Sequence, residues 1–184
     1  MSGAIDNPPS LQRLDRDLGL PGIIAPLGTW PSTTQAATAN RAFFMRFVPS
    51  RVMTVKALRF VVTTAAGSDD ACDVGIYSAA MERLRSSGAK TGQLNSQGVK
   101  SVEFTSLELQ PNTVYFAGLS VGTIGTTAVQ FAAINNFNGF YGDLFSSGTT
   151  AQRMMLFAST AHPLPASPTI AGTTPTPWVA VAEQ

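Results

Sequence analysis

In this 184-residue chain, the residues whose spacing most resembles a reaction site are Gly118-Leu119-Ser120-Val121-Gly122. They match G-x-S-x-G, and Asp143 and His162 follow in the serine–acid–histidine order of a hydrolase triad. In that chemistry a histidine takes the proton of a serine hydroxyl presented on a tight strand-to-helix turn. The surroundings do not supply the turn. Ser120 falls inside an alternating run, and Thr123-Ile124-Gly125-Thr126-Thr127 behind it is a poor helix start. Strand–helix alternation is missing elsewhere too. The expectation is a chain with no catalytic residues, and not an enzyme.

Metal chemistry has little to work with. Asp69, Asp70 and Asp73 cluster near one turn and are weak candidates for Ca²⁺, which wants about six to eight oxygens. Ser68-Asp69-Asp70 is equally ordinary turn chemistry. His162, the one histidine, has no Cys, Asp or Glu at ligand spacing, so it reads as a surface or half-buried imidazole and not as a zinc ligand. Glu103 and Glu108 show no sign of a paired general acid and base. The sequence assigns no metal site and no cofactor. Cys72 is the single cysteine, which excludes an intrachain disulfide.

The stretch Ile134-Asn135-Asn136-Phe137-Asn138-Gly139-Phe140-Tyr141-Gly142-Asp143-Leu144-Phe145 interleaves aromatics with amides. Rigid aromatic area beside adaptable polar groups suits a protein interface or a sugar-binding loop. Phe137, Asn138, Phe140 and Tyr141 are the interface or glycan-contact candidates. A hairpin whose aromatics cap a sandwich is the competing explanation.

These residues must be carried by strands. Residues 1–40 hold Pro8, Pro9, Pro21, Pro26 and Pro31 and read as an extended arm, with a short helix possible at 11–18. Ile23, Ile24, Leu27 and Trp30 would anchor it. From Arg41 the pattern turns to β. About eight short strands with Gly, Pro, Asn and Asp turns between them indicate an all-β, antiparallel sandwich over 41–162, jelly-roll-like. Arg46 and Arg59 at alternating positions suggest a basic stripe on the outer face of one sheet. Residues 163–184 read as an extended C-terminal segment, its Pro-, Ser- and Thr-rich stretch Pro163–Pro177 on the outside, with a last strand possible at 178–182.

Composition bounds the partners. Twelve Lys and Arg against eleven Asp and Glu leave a net charge of +1, and 12% of residues are charged, about half the usual fraction. Such a chain lacks the basic field that binds nucleic acid. The N-terminus has no basic and apolar signal regions, and no run approaches the roughly 18 apolar residues of a membrane span. Synthesis in a cytosol and no membrane partner are expected. After Phe104 the charges are Glu108, Asp143, Arg153 and Glu183 alone. The uncharged second half of the sandwich is where a subunit interface is expected, with the charged turns in water.

Four segments carry a resemblance: Asn40–Pro49, Val55–Val62, Asp73-Val74-Gly75-Ile76-Tyr77-Ser78 and Leu109-Gln110-Pro111-Asn112-Thr113-Val114-Tyr115-Phe116-Ala117. Together they resemble the β-sandwich modules of tailed-bacteriophage virion accessory proteins, among them tail-fibre, minor tail, head-fibre and capsid-decoration proteins. In those modules a strand carrying VGIY precedes a variable loop and a strand carrying L-x-P-x-T-x-Y follows it. The resemblance covers about residues 40–160. It implies a jelly-roll-like sandwich, often trimeric, without catalysis, and gives no fixed functional residues. The expectation is a structural protein of the virion, made in the host cytoplasm, that oligomerises through its sandwich and attaches to other virion proteins by its arm. The alternative is a carbohydrate-binding module for a host surface glycan.

Overall fold

β-Branched and aromatic residues at every second position favour extended backbone, and turn residues fold each strand back on its neighbour. The structure, a computed structural model, describes residues 33–49, 51–66, 71–125, 127–134, 155–158, 162–172, 176–177 and 179–183. Eleven strands occur among them: β1 (Thr33–Ala36), β2 (Ala42–Phe47), β3 (Met53–Thr64), β4 (Cys72–Ser78), β5 (Arg83–Ser86), β6 (Gly98–Leu109), β7 (Tyr115–Val121), β8 (Gln130–Ile134), β9 (Met155–Ala158), β10 (Thr176–Pro177) and β11 (Val179–Glu183).

The first eight strands pair as one long hairpin wrapped on itself. β1 lies antiparallel to β8, β2 to β7, β3 to β6 and β4 to β5. Lateral pairing of β3 with β8 and of β4 with β7 closes this ribbon into two sheets. One sheet runs β1-β8-β3 with β6 on the far side of β3, and the other runs β5-β4-β7-β2-β9. This is the pairing of a jelly roll, so the all-β antiparallel sandwich expected from the sequence is the observed fold. β9 extends the second sheet beside β2, while β10 and β11 add to the first beside β8 and β3.

Two expectations change. The arm read as 1–40 includes Thr33–Ala36, which form β1 and pair with Gln130–Ala133, so the roll begins earlier than Arg41. Arg46 and Arg59 form no stripe, because β2 and β3 belong to opposite sheets. The arm anchors Ile23, Ile24, Leu27 and Trp30 lie outside the described residues.

The main core fills the space between the sheets. Val55, Leu58, Phe60 and Val62 of β3 face Val74 and Ile76 of β4 and Leu119 and Val121 of β7. Phe60 meets Phe131 edge to face at 5.7 Å, a geometry that aligns ring edge with ring face. The first sheet has a solvated outer face: Lys56 and Arg59 are exposed, and Val99 is 70% exposed.

The second sheet differs. Every residue of β7, and every residue of β4 except Ser78, is buried. Its outer face carries a second apolar cluster of Ala42, Phe44, Tyr77, Met81, Phe116 and Ala158, closed by Leu164. Residues 162–166 cross this face as a strap. Of the C-terminal segment, residues 162–166 lie on the outside but are fastened down, whereas Val179 and Val181 of β11 are buried in the main core.

Candidate functional site

Strand register sets the site. Ala42 of β2, Ser120 of β7 and Asp73 of β4 stand in one row across the second sheet. The next row is Phe44, Gly118 and Gly75. Because side chains alternate between faces, Asp73, Gly75 and Tyr77 share the outer face with Phe116, Gly118 and Ser120. Asp73 and Ser120 are the two fully buried polar residues among the described core, and they are register partners.

A buried carboxylate needs donors for its oxygens. Asp73 finds them at the end of β5 and in the strap. The Ser86 hydroxyl lies 2.8 Å from Oδ1 and 2.9 Å from Oδ2, the Ser87 hydroxyl donates to Oδ1 at 2.9 Å, and the Leu164 amide donates to Oδ2 at 2.9 Å. Ser87 also accepts from the Val74 amide at 3.1 Å, which fixes the end of β5 against β4. Asp73, grouped with Asp69 and Asp70 as a weak calcium candidate, sits on β4 with both oxygens engaged, and its value as a calcium ligand goes with them. Asp69 and Asp70 lie outside the described residues, among which no group of three His, Cys, Asp or Glu could hold a metal.

One row along, Ser120 Oγ lies 3.0 Å from His162 Nδ1. The half-buried imidazole rests on Gly122: a Cβ there would fall 2.8 Å from His162 Cδ2. Burial lowers the His162 pKa below the ordinary imidazole value, and the Asp73 carboxylate partly opposes that shift. The strap continues with three more contacts. Arg83 Nη1 donates to the Leu164 carbonyl, the Tyr77 hydroxyl donates to the Pro165 carbonyl at 2.7 Å, and the Arg83 amide donates to the Ala166 carbonyl at 2.8 Å. Leu164 is 1% exposed, and its Cδ1 sits 3.1 Å from where a Cβ on Gly75 would be.

The G-x-S-x-G match therefore has a packing explanation. Positions 118, 120 and 122 face the strap, where Gly118 leaves room for the Phe44 and Tyr77 rings, Gly122 leaves room for His162, and Ser120 bonds the imidazole. Sequence reasoning paired Ser120 with His162 and Asp143. The structure brings the first two together, supplies Asp73 as the neighbouring acid, and leaves Asp143 outside the described residues. A serine nucleophile must meet its substrate, and this one has no exposed surface. Phe137, Asn138, Phe140 and Tyr141 also lie outside the described residues.

Fold and site together define a jelly roll whose second sheet is braced from outside by its own C-terminal chain. No family model matches the chain, and no curated protein matches it in sequence.

Proposed function

We propose that the protein is a non-enzymatic structural component of a bacteriophage particle, a virion surface accessory protein that oligomerises through its sandwich and attaches by its N-terminal segment. The observation that carries this reading is how the polar cluster is used. Asp73, Ser86, Ser87, Ser120 and His162 are satisfied by one another and by the strap, so the residues with catalytic spacing serve as fasteners. A braced, weakly charged roll suits a part whose task is to hold shape. The resemblance of Asp73–Ser78 and Leu109–Ala117 to tailed-phage modules supplies the particle, since a fold alone does not name a function.

Mass photometry of the purified chain and co-sedimentation with phage particles stripped of it test the proposal. The expected result is an oligomer, trimer foremost, that re-binds particles. Deleting residues 1–32, which leaves β1 intact, should abolish attachment and keep the roll folded. A stable monomer that ignores particles, or fluorophosphonate labelling of Ser120 in the folded protein, would overturn the reading.

A further inference from the structure

Five hydrogen bonds and one buried leucine hold residues 162–166 against the second sheet: Ser120 to His162, Asp73 to the Leu164 amide, Arg83 to the Leu164 and Ala166 carbonyls, and Tyr77 to the Pro165 carbonyl. None of these bonds belongs to a strand ladder. Segments held by few local contacts open at lower free energy than the ladders beneath them. We propose that residues 162–166 are a latch that opens as a unit on acidification while the jelly roll stays folded, uncovering an apolar groove floored by Gly75 and Gly118.

The geometry gives the latch its sensitivity. The imidazole packs on the Gly122 backbone with Nδ1 on the hydroxyl of a fully buried serine. In the Nε2–H tautomer of neutral His162, Ser120 donates to Nδ1. Protonation makes Nδ1 a donor and turns the serine toward its alternative acceptor, the Asp73 carbonyl, which is distant at 3.5 Å. A charged ring in this half-buried place also loses hydration that it regains in the open state, which is why burial lowers its pKa in the closed one. The proton therefore prefers the open strap. The closed state is fully favoured above the ordinary histidine value and loses that advantage as pH falls below it.

The other charged or titratable groups facing the strap are Asp73 and Tyr77 on β4 and Arg83 on β5. The Asp73 carboxylate favours imidazolium and so moderates the effect without reversing it. Burial raises the Tyr77 phenol above its ordinary range, which keeps it a donor throughout.

Amide hydrogen exchange on the full chain tests this. Leu164 has an amide between two prolines that reports strap opening, and Leu119 in the middle of β7 reports the roll. From about pH 7.5 to about pH 5, which brackets an ordinary histidine, the protection factor of Leu164 should fall several-fold while that of Leu119 holds. His162→Asn keeps a hydrogen-bonding group beside Ser120 but cannot take the proton, and should flatten the response. Unchanged Leu164 protection in the wild type, joint loss at Leu164 and Leu119, or wild-type pH dependence in His162→Asn each overturns the proposal. The wild-type measurement decides even if the variant does not fold.

Discussion

Gly75 and Gly118 face each other across β4 and β7, and neither has room for a side chain. A Cβ on Gly75 would fall 2.5 Å from the Arg85 carbonyl oxygen and 3.1 Å from Leu164 Cδ1, whereas one on Gly118 would fall 3.0 Å from the Phe44 ring and 3.2 Å from the Tyr77 ring. The two obstacles differ in kind. The first is backbone held in the β4–β5 ladder, and the second is a pair of rings packed edge to face at 5.1 Å.

Overpacking a filled site costs about 1–3 kcal/mol. Gly75→Ala should fall near the upper end, because a backbone carbonyl must move. Gly118→Ala should fall near the lower end, because rings can tilt by a few tenths of an ångström. Urea unfolding of the two variants measures the difference, and equal losses would mean that the β5 edge yields as readily as the rings.

Asp73 and Ser120 are partners in register but not in energetic weight. Asp73→Ala leaves three donors without their acceptor, one of them the Leu164 amide in a buried place. Each unsatisfied buried donor costs about 1–3 kcal/mol, and the two serines can turn toward water, so a loss of about 2–4 kcal/mol is expected. Ser120→Ala removes one bond to a half-buried ring and should cost about 1 kcal/mol. Denaturant midpoints order the two, and a Ser120 effect exceeding the Asp73 effect would place the main fastening at the histidine.

Much of the roll was legible from alternation. Leu58, Phe60 and Val62 against Cys72, Val74 and Ile76 announce two inner faces, and the turn at 111–112 falls where Pro111 and Asn112 put it. The strap was not legible. Pro163–Pro177 has the composition of a loop, and its main fastener is Asp73, 91 residues away in sequence. A signal was present in β2 and β7, AFFMRF and YFAGLSV, which are apolar at nearly every position. Strands buried on both sides read as continuous apolar runs, and these runs require a third layer. The same burial accounts for the missing charge in β7.

Cys72 lies on the inner face of β4, one residue from Asp73 but on the other side of the sheet. Burial, with the Asp73 carboxylate adding to it, pushes the thiol up to about 12. The reactive form is the thiolate, so iodoacetamide at about pH 8.5 should leave the folded chain unmodified and alkylate it once urea unfolds it. A raised acid pKa stabilises the fold below the unfolded value and loses that contribution as pH rises toward the folded value. The urea midpoint should therefore fall between about pH 9 and about pH 12 more steeply in the wild type than in Cys72→Ala. Rapid alkylation of the native protein would show that β4 opens on its own.

Met81 adopts φ 62° in the connection between β4 and β5, with its amide donating to the Ser78 carbonyl at 3.0 Å. Asn40 and Asn112 hold similar angles at 58° and 57° with residues that tolerate them. Methionine does not, and the left-handed conformation costs it about 1–2 kcal/mol. Its side chain is buried in the outer cluster that Leu164 closes, and such burial contributes about 1.5–3 kcal/mol. The two terms nearly cancel, with burial ahead. Met81→Gly should thus destabilise by about 1 kcal/mol although it relieves the backbone. In a Leu164→Ala background the cluster is already opened to water, so the same substitution should become neutral or stabilising. A double-mutant cycle by urea unfolding reads this change of sign. If Met81→Gly instead stabilises the intact protein, the strap does not seal the cluster tightly enough to hold the strained methionine.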